Sequence, residues 1–159
     1  MDAIAPVTQT EARALLRDYV NAIDRGRLTD WPNFFVEACS YRITTRENEE
    51  RGRPLSIMLC NNRAMLFDRI EATEKANIFE PHSYRHILSD SEVVSESDGA
   101  LTMRTSFLCV RIMKTGETML FVCGEYVDEI VREQGRCRFR SKRVVLDSSR
   151  IDTLIAIPL

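Results

Sequence analysis

The 159-residue chain is poor in the parts from which familiar catalytic centres are built. It has two histidines, His82 and His86, and one tryptophan, Trp31. There is no GxGxxG and no GxxxxGKS/T run, which excludes the common Gly-rich phosphate cradles. There is no GxSxG elbow for a nucleophilic serine and no HExxH helix for zinc. No apolar run approaches the ~20 residues needed to span a bilayer. The start, MDAIAPVTQTEAR, lacks a basic stretch followed by an apolar one, so a signal peptide is not expected and a cytoplasmic location is. Charge of one sign is also lacking: 22 Lys and Arg stand against 24 Asp and Glu. That balance leaves no electrostatic footprint for nucleic acid. The five cysteines (Cys39, Cys60, Cys109, Cys123, Cys137) are odd in number, with no CxxC spacing. They read as buried free thiols rather than disulfides or a zinc site.

What is present reads as helices followed by a sheet. Thr8-x-x-Glu11 fits a capping box. Ala12, Leu15, Leu16, Tyr19, Val20 and Ile23 then recur at helical spacing, and Gly26 suits the helix end. Asp30-Trp31-Pro32 reads as the cap and first turn of a short second helix with Trp31, Phe34 and Phe35 turned inward. Ser40–Thr45 reads as a strand, 46–53 as a polar loop, and Leu55–Cys60 as a further strand. Asn61 or Asn62 suits the cap of a third helix reaching Ala76, with Met65, Leu66, Ile70 and Thr73 as its inner stripe. From residue 82 the apolar period becomes two. Strands are expected near 82–95, 100–113, 118–132 and 136–146, separated by Gly99, Gly116 and Gly135 at hairpin turns. This order gives an α+β fold in one domain over 1–159, with a helix layer on a mostly antiparallel sheet.

The stretch 76–94, ANIFEPHSYRHILSDSEVV, carries both histidines. On a strand, His82, Tyr84 and His86 share one face, and Ser83, Arg85 and Ile87 the other. Four residues of strand place the two histidine Cα atoms about 13 Å apart, too far to share a metal. No Cys-x-His pair exists to hold a Rieske cluster. Two readings of His86 stay open. It is a core histidine hydrogen-bonded to a carboxylate or backbone group, or it is a general acid or base working beside a helix carboxylate such as Asp68 in a pocket enzyme of the dehydratase or isomerase kind.

The short N-terminal helix, the Trp31–Phe35 element, RIEATEKAN and PHSYRHILS resemble the small (beta) subunit of aromatic-ring-hydroxylating dioxygenases. RIMKTGETMLFVCGEYVD and VVLDSSRIDTLIAIPL are similar to terephthalate dioxygenase small subunits in particular. The resemblance implies a cone-shaped fold like that of nuclear transport factor 2 and scytalone dehydratase. It implies no catalytic, cofactor or metal residue in this chain. It implies a large (alpha) subunit carrying a Rieske [2Fe–2S] cluster, a mononuclear non-haem iron and the substrate pocket. Three large and three small subunits and a separate reductase complete the implied system. The tail Ile151–Leu159 (IDTLIAIPL) is apolar, and with the outer face of the sheet it is expected to contact other subunits, the alternative being that it folds back onto its own helices.

Overall fold

The computed structural model describes residues 5–76, 80–151 and 154–159. Helix α1 (Gln9–Asp24) begins with the expected capping box. Thr8 Oγ1 accepts from the Glu11 N–H, and Glu11 reaches back to the Thr8 N–H. Gly26, at a φ of 70°, follows its end. The second helical turn is a 3-10 helix, Leu28–Phe34, starting earlier than the Asp30 cap suggested. Trp31 is buried on it, and Phe35 opens β1 (Phe35–Thr45), which is longer than the pattern implied.

Three further expectations are corrected locally. The polar stretch after β1 contains a short helix, α2 (Arg46–Glu50), because Thr45 Oγ1 caps it by accepting from the Asn48 N–H. Strand β2 is only Met58–Cys60. On α3 (Arg63–Ala76), capped by Asn62 Oδ1 on the Met65 N–H, Leu66 and Ile70 are buried but Met65 is exposed. The kink proposed at Glu80-Pro81 adjoins 77–79, which lie outside the described residues.

The four long strands appear as read: β3 (His82–Ser97), β4 (Ala100–Met113), β5 (Thr118–Glu133) and β6 (Arg136–Leu146). Asp98-Gly99 and Gln134-Gly135 both take positive φ, as a type I′ hairpin turn demands. The pattern did not reveal how the sheet closes. Its order is β2-β1-β6-β5-β4-β3, and β1 lies parallel to β6, pairing Tyr41 with Lys142 and Ile43 with Val144. The curved sheet wraps the helices. Its inner face and α1, α3 and the 3-10 helix share one core containing Tyr19, Trp31, Phe35, Tyr41, Tyr126 and Phe139.

The tail corrects an expectation. Ile155, Ala156, Ile157 and Leu159 are buried in their own chain, and only Leu154 of the described tail is exposed. The hydroxyls of Tyr19 and Tyr41 donate to the Leu159 carbonyl oxygen at 2.7 and 2.9 Å, and the Leu159 N–H donates back to Tyr41. The Trp31 indole N–H donates to Tyr19. An apolar tail whose backbone groups find buried hydroxyls is core, and it is not available as an interface.

Glu11 also binds Arg132 of β5 at 2.7 Å, strapping α1 to the sheet. The Arg132 guanidinium first, then the Thr8 N–H and hydroxyl, hold the Glu11 carboxyl down to about 2. A carboxyl depressed in the fold stabilises it above the ordinary carboxylate value and stops doing so as pH falls through the depressed one. Glu11→Gln should therefore lose stability at neutral pH, and the gap to wild type should close between pH 4.5 and about 2. Thermal unfolding across that range checks this; a gap that stays constant refutes the strap.

Candidate functional site

His82, Tyr84 and His86 face inward as the strand alternation required, with Ser83, Arg85 and Ile87 exposed. The carboxylate beside His86 is Asp24, the last residue of α1, and not Asp68. Asp24 Oδ1 sits 2.6 Å from His86 Nδ1, and Oδ2 accepts the His86 backbone N–H at 2.8 Å. The two side chains are 3% and 0% exposed. Asp68 instead is exposed on α3, beside a shallow hollow lined by Ile57, Leu59, Met65 and Arg69. The pairing expected for acid–base work is therefore not formed. The reading placed the carboxylate on the helix layer but on the wrong helix.

The geometry explains what Asp24 does. Strand β3 is an edge strand, so alternate N–H groups point away from β4 and need a partner. Asp24 takes the one at His86 and orients its ring at the same time. Arg13, further up α1, donates to the Ser91 carbonyl at 3.0 Å. Helix α1 thus covers part of the exposed edge, a standard protection against unwanted strand pairing.

A His–Asp pair can act as a general base only if the far ring nitrogen meets a substrate. Nε2 of His86 is fully buried and has no hydrogen-bond partner among the described residues. The Tyr84 and Phe107 rings stand 6.0 and 6.3 Å from the imidazole. Cys109 lies opposite on β4, where burial pushes its thiol well up and keeps it a poor nucleophile. Burial likewise raises Tyr84 and Tyr126, which stay neutral phenols.

Pattern reading missed a second polar group inside. Lys142 of β6 and Asp128 of β5 are cross-strand partners, both completely buried, joined at 3.0 and 3.2 Å. The ammonium stands 3.7 Å from the Tyr126 ring centre, 4.4 Å from Tyr19 and 4.6 Å from Phe139. Burial moves both groups toward neutrality, raising Asp128 and lowering Lys142, and their mutual attraction offsets this only in part. The available signal was two charged residues at inward positions of otherwise apolar alternations, 126–130 and 142–146.

No group of three or more His, Cys, Asp or Glu side chains among the described residues is placed to hold a metal ion. The residues present do not fit a Rieske or iron site: Asp24 engages His86, the Glu80 carbonyl engages His82, and no cysteine joins either histidine in a cluster of three ligands among the described residues. No described helix is long and apolar enough to cross a membrane.

His86→Ala is expected to cost about 1–3 kcal/mol, because Asp24 would keep a buried, half-satisfied carboxylate. Chemical denaturation of the chain measures it. Unchanged stability together with lost turnover in an assembled complex would point to catalysis instead.

A helix layer held against a curved open sheet, with its histidine engaged as an anchor, defines a cone-shaped α+β scaffold. A protein from Novosphingobium aromaticivorans DSM 12444, assigned as a scytalone dehydratase, shares that fold at a TM-score of 0.68 and 15% identity, covering 93% of this chain and 89% of its own. The Ring hydroxylating beta subunit family model matches residues 19–153, and the chain belongs to that family: it is the small subunit of an aromatic-ring-hydroxylating dioxygenase, a component of an oxidoreductase. It is 37% identical over 152 residues to the anthranilate 1,2-dioxygenase small subunit of Burkholderia cepacia, covering 96% of this chain and 94% of that one. It is equally 37% identical, over 153 residues, to subunit beta 1 of the terminal oxygenase component of terephthalate 1,2-dioxygenase from Comamonas sp, covering 96% and 99%. A beta subunit assigned to an aromatic-ring-hydroxylating dioxygenase of Novosphingobium aromaticivorans DSM 12444 superimposes with a TM-score of 0.86 at 31% identity, covering 95% and 96%.

Proposed function

We propose that this chain is a structural, non-catalytic small subunit and that the chemistry belongs to a partner large subunit. The observation that carries this is the engagement of His86. Its ring and backbone are both committed to Asp24, with the imidazole sealed from solvent, so this inward histidine–carboxylate pair serves attachment of α1 to the sheet edge. The Rieske [2Fe–2S] cluster and mononuclear iron would lie on the large subunit, with a reductase delivering electrons from NAD(P)H. An assembly of three large and three small subunits in the cytoplasm, each small subunit one domain over 1–159, completes the proposal. Ile87, Leu108 and Leu120 are exposed on the outer sheet face, which supports that face as a subunit contact.

The substrate class is a carboxylated benzene, dihydroxylated in cis by O2. Its support is that two relatives are named for anthranilate and terephthalate, both aromatic carboxylates. The test is co-expression with the large subunit, separation of the two, and assay with a reductase. The complex should convert an aromatic carboxylate to the cis-diol, iron should follow the large subunit, and the separated small subunit should be colourless and inactive. Stoichiometric iron on the small subunit that survives chelation overturns the assignment.

A further inference from the structure

Two hollows on the helix side of the molecule share Asp18, Asn33 and Phe34 and so form one trough. It runs from the end of α1, over the 3-10 helix, to α3 and the start of β6. The hollows measure about 410 and 580 Å³. Neither His86 nor Asp24 lines this trough, and it lies on the helix side rather than on the outer sheet face.

Its charge departs from that of the molecule. The chain is nearly neutral, yet five guanidinium groups line the trough against two carboxylates, Asp18 and Asp30. Most of these charges are already matched. Arg27 faces Asp30 at 3.9 Å, Arg63 binds Glu37 at 2.8 Å, Arg138 faces Glu133 at 3.2 Å, and Asp18 is held by Arg17 at 3.1 Å. Arg25 and Arg136 are exposed, and their side chains have no partner among the described residues. Between these two unmatched cations, Leu15, Phe34 and Phe67 form an apolar strip set among Asp18, Asn33 and the matched arginines. Phe34 and Leu15 are half-buried, and Phe67 is 46% exposed.

An unmatched cation at each end of an open trough, with Phe34 and Phe67 between them, is complementary to a chain segment bearing carboxylates around an apolar side chain. A shallow, open trough with Phe67 standing on its rim suits a protein surface, whose aromatic and arginine anchors gain most from desolvation. We infer that this trough is the docking site for an acidic, apolar-centred segment of the large subunit, recognised by Arg25 and Arg136 across the Phe34–Phe67 wall. The inference rests on the small-subunit reading above and assigns it a second contact surface besides the sheet.

The test uses the co-expressed complex with a tagged large subunit and reads the ratio of small to large subunit captured at several salt concentrations. The variant R25E/R136E should lower that ratio about tenfold or more at low salt, because opposed rim charges act directly on association. R25K/R136K should retain most of it, since the charge is kept. Wild-type capture should weaken as salt rises, as the Debye length shrinks below about 10 Å. R25Q/R136Q, which adds no carboxylate beside Asp24 at the end of α1, should also lower capture and should unfold like wild type, since neither arginine side chain has a partner among the described residues. Capture of R25E/R136E at the wild-type ratio overturns the inference and leaves the small-subunit reading standing. So does a loss confined to association of small subunits with each other. Failure of wild type itself to be captured under any salt overturns both.

Discussion

Asp128→Ala is expected to cost about 3–5 kcal/mol, which for a domain of this size is a large part of the whole stability. The reason is what it leaves behind. Lys142 would keep an ammonium or an unpaired amine completely enclosed by Tyr19, Tyr126 and Phe139, with only ring faces for company. Ring faces attract a cation by about 1–2 kcal/mol, well short of the cost of burying it alone. Replacing both partners gives the opposite forecast. With Asp128→Leu and Lys142→Met together, no buried charge remains, and such exchanges are often neutral or stabilising. Burial pulls both groups toward neutrality, the direction expected when attraction fails to offset desolvation fully. Urea unfolding of the single and double variants decides the matter. A double variant as unstable as the single would show that the pair contributes net stability rather than strand register.

Gly124→Ala carries the other large expected effect, about 3 kcal/mol or more. Gly124 sits in the middle of β5, opposite Leu146, with ordinary rather than left-handed backbone. The constraint is space. A Cβ there would lie 2.0 Å from the Val145 carbonyl oxygen and 2.9 Å from its carbon, both backbone atoms of the neighbouring strand. No rotamer can relieve that contact, so β5 and β6 would have to part. Glycine inside a strand commonly marks such an approach. The same pairing carries Asp128 and Lys142 four residues further along, so the substitution should also loosen the buried pair. Denaturation midpoints measure the loss; a midpoint within experimental error of wild type would refute the steric account.

Local pattern made much of this fold legible, and its failures have a physical reason. The capping box at Thr8, the stripe of α1 and the four hairpin-linked strands are all set by neighbours in sequence. The parallel pairing of β1 with β6 is not, because a period of two tells which face is buried but names no partner. The histidine face was legible for the same reason, and its carboxylate was not, since Asp24 is 62 residues away. A signal for Asp24 was nonetheless present. An acidic residue in the last turn of a helix opposes the helix dipole, and no basic residue stands there to relieve it. Such local misfits often mark residues committed to a tertiary task. Lys142 and Asp128 carried the analogous mark on their strands. The tail was misread because apolarity alone does not distinguish a partner's surface from the chain's own core; the hydroxyls of Tyr19 and Tyr41 decide it.

The parallel strand pair also sets a timetable for synthesis. Strand β1 can neither complete its sheet nor meet Leu159 until residues as far as 118 positions later have been made. At ~5–20 residues per second that wait is roughly 6–24 s. Throughout it, α1 can already meet β3 through Asp24 and His86, but β1 has only the short β2 beside it. Strand β1 therefore waits longer for its second neighbour than any of the hairpin-linked strands waits for its own.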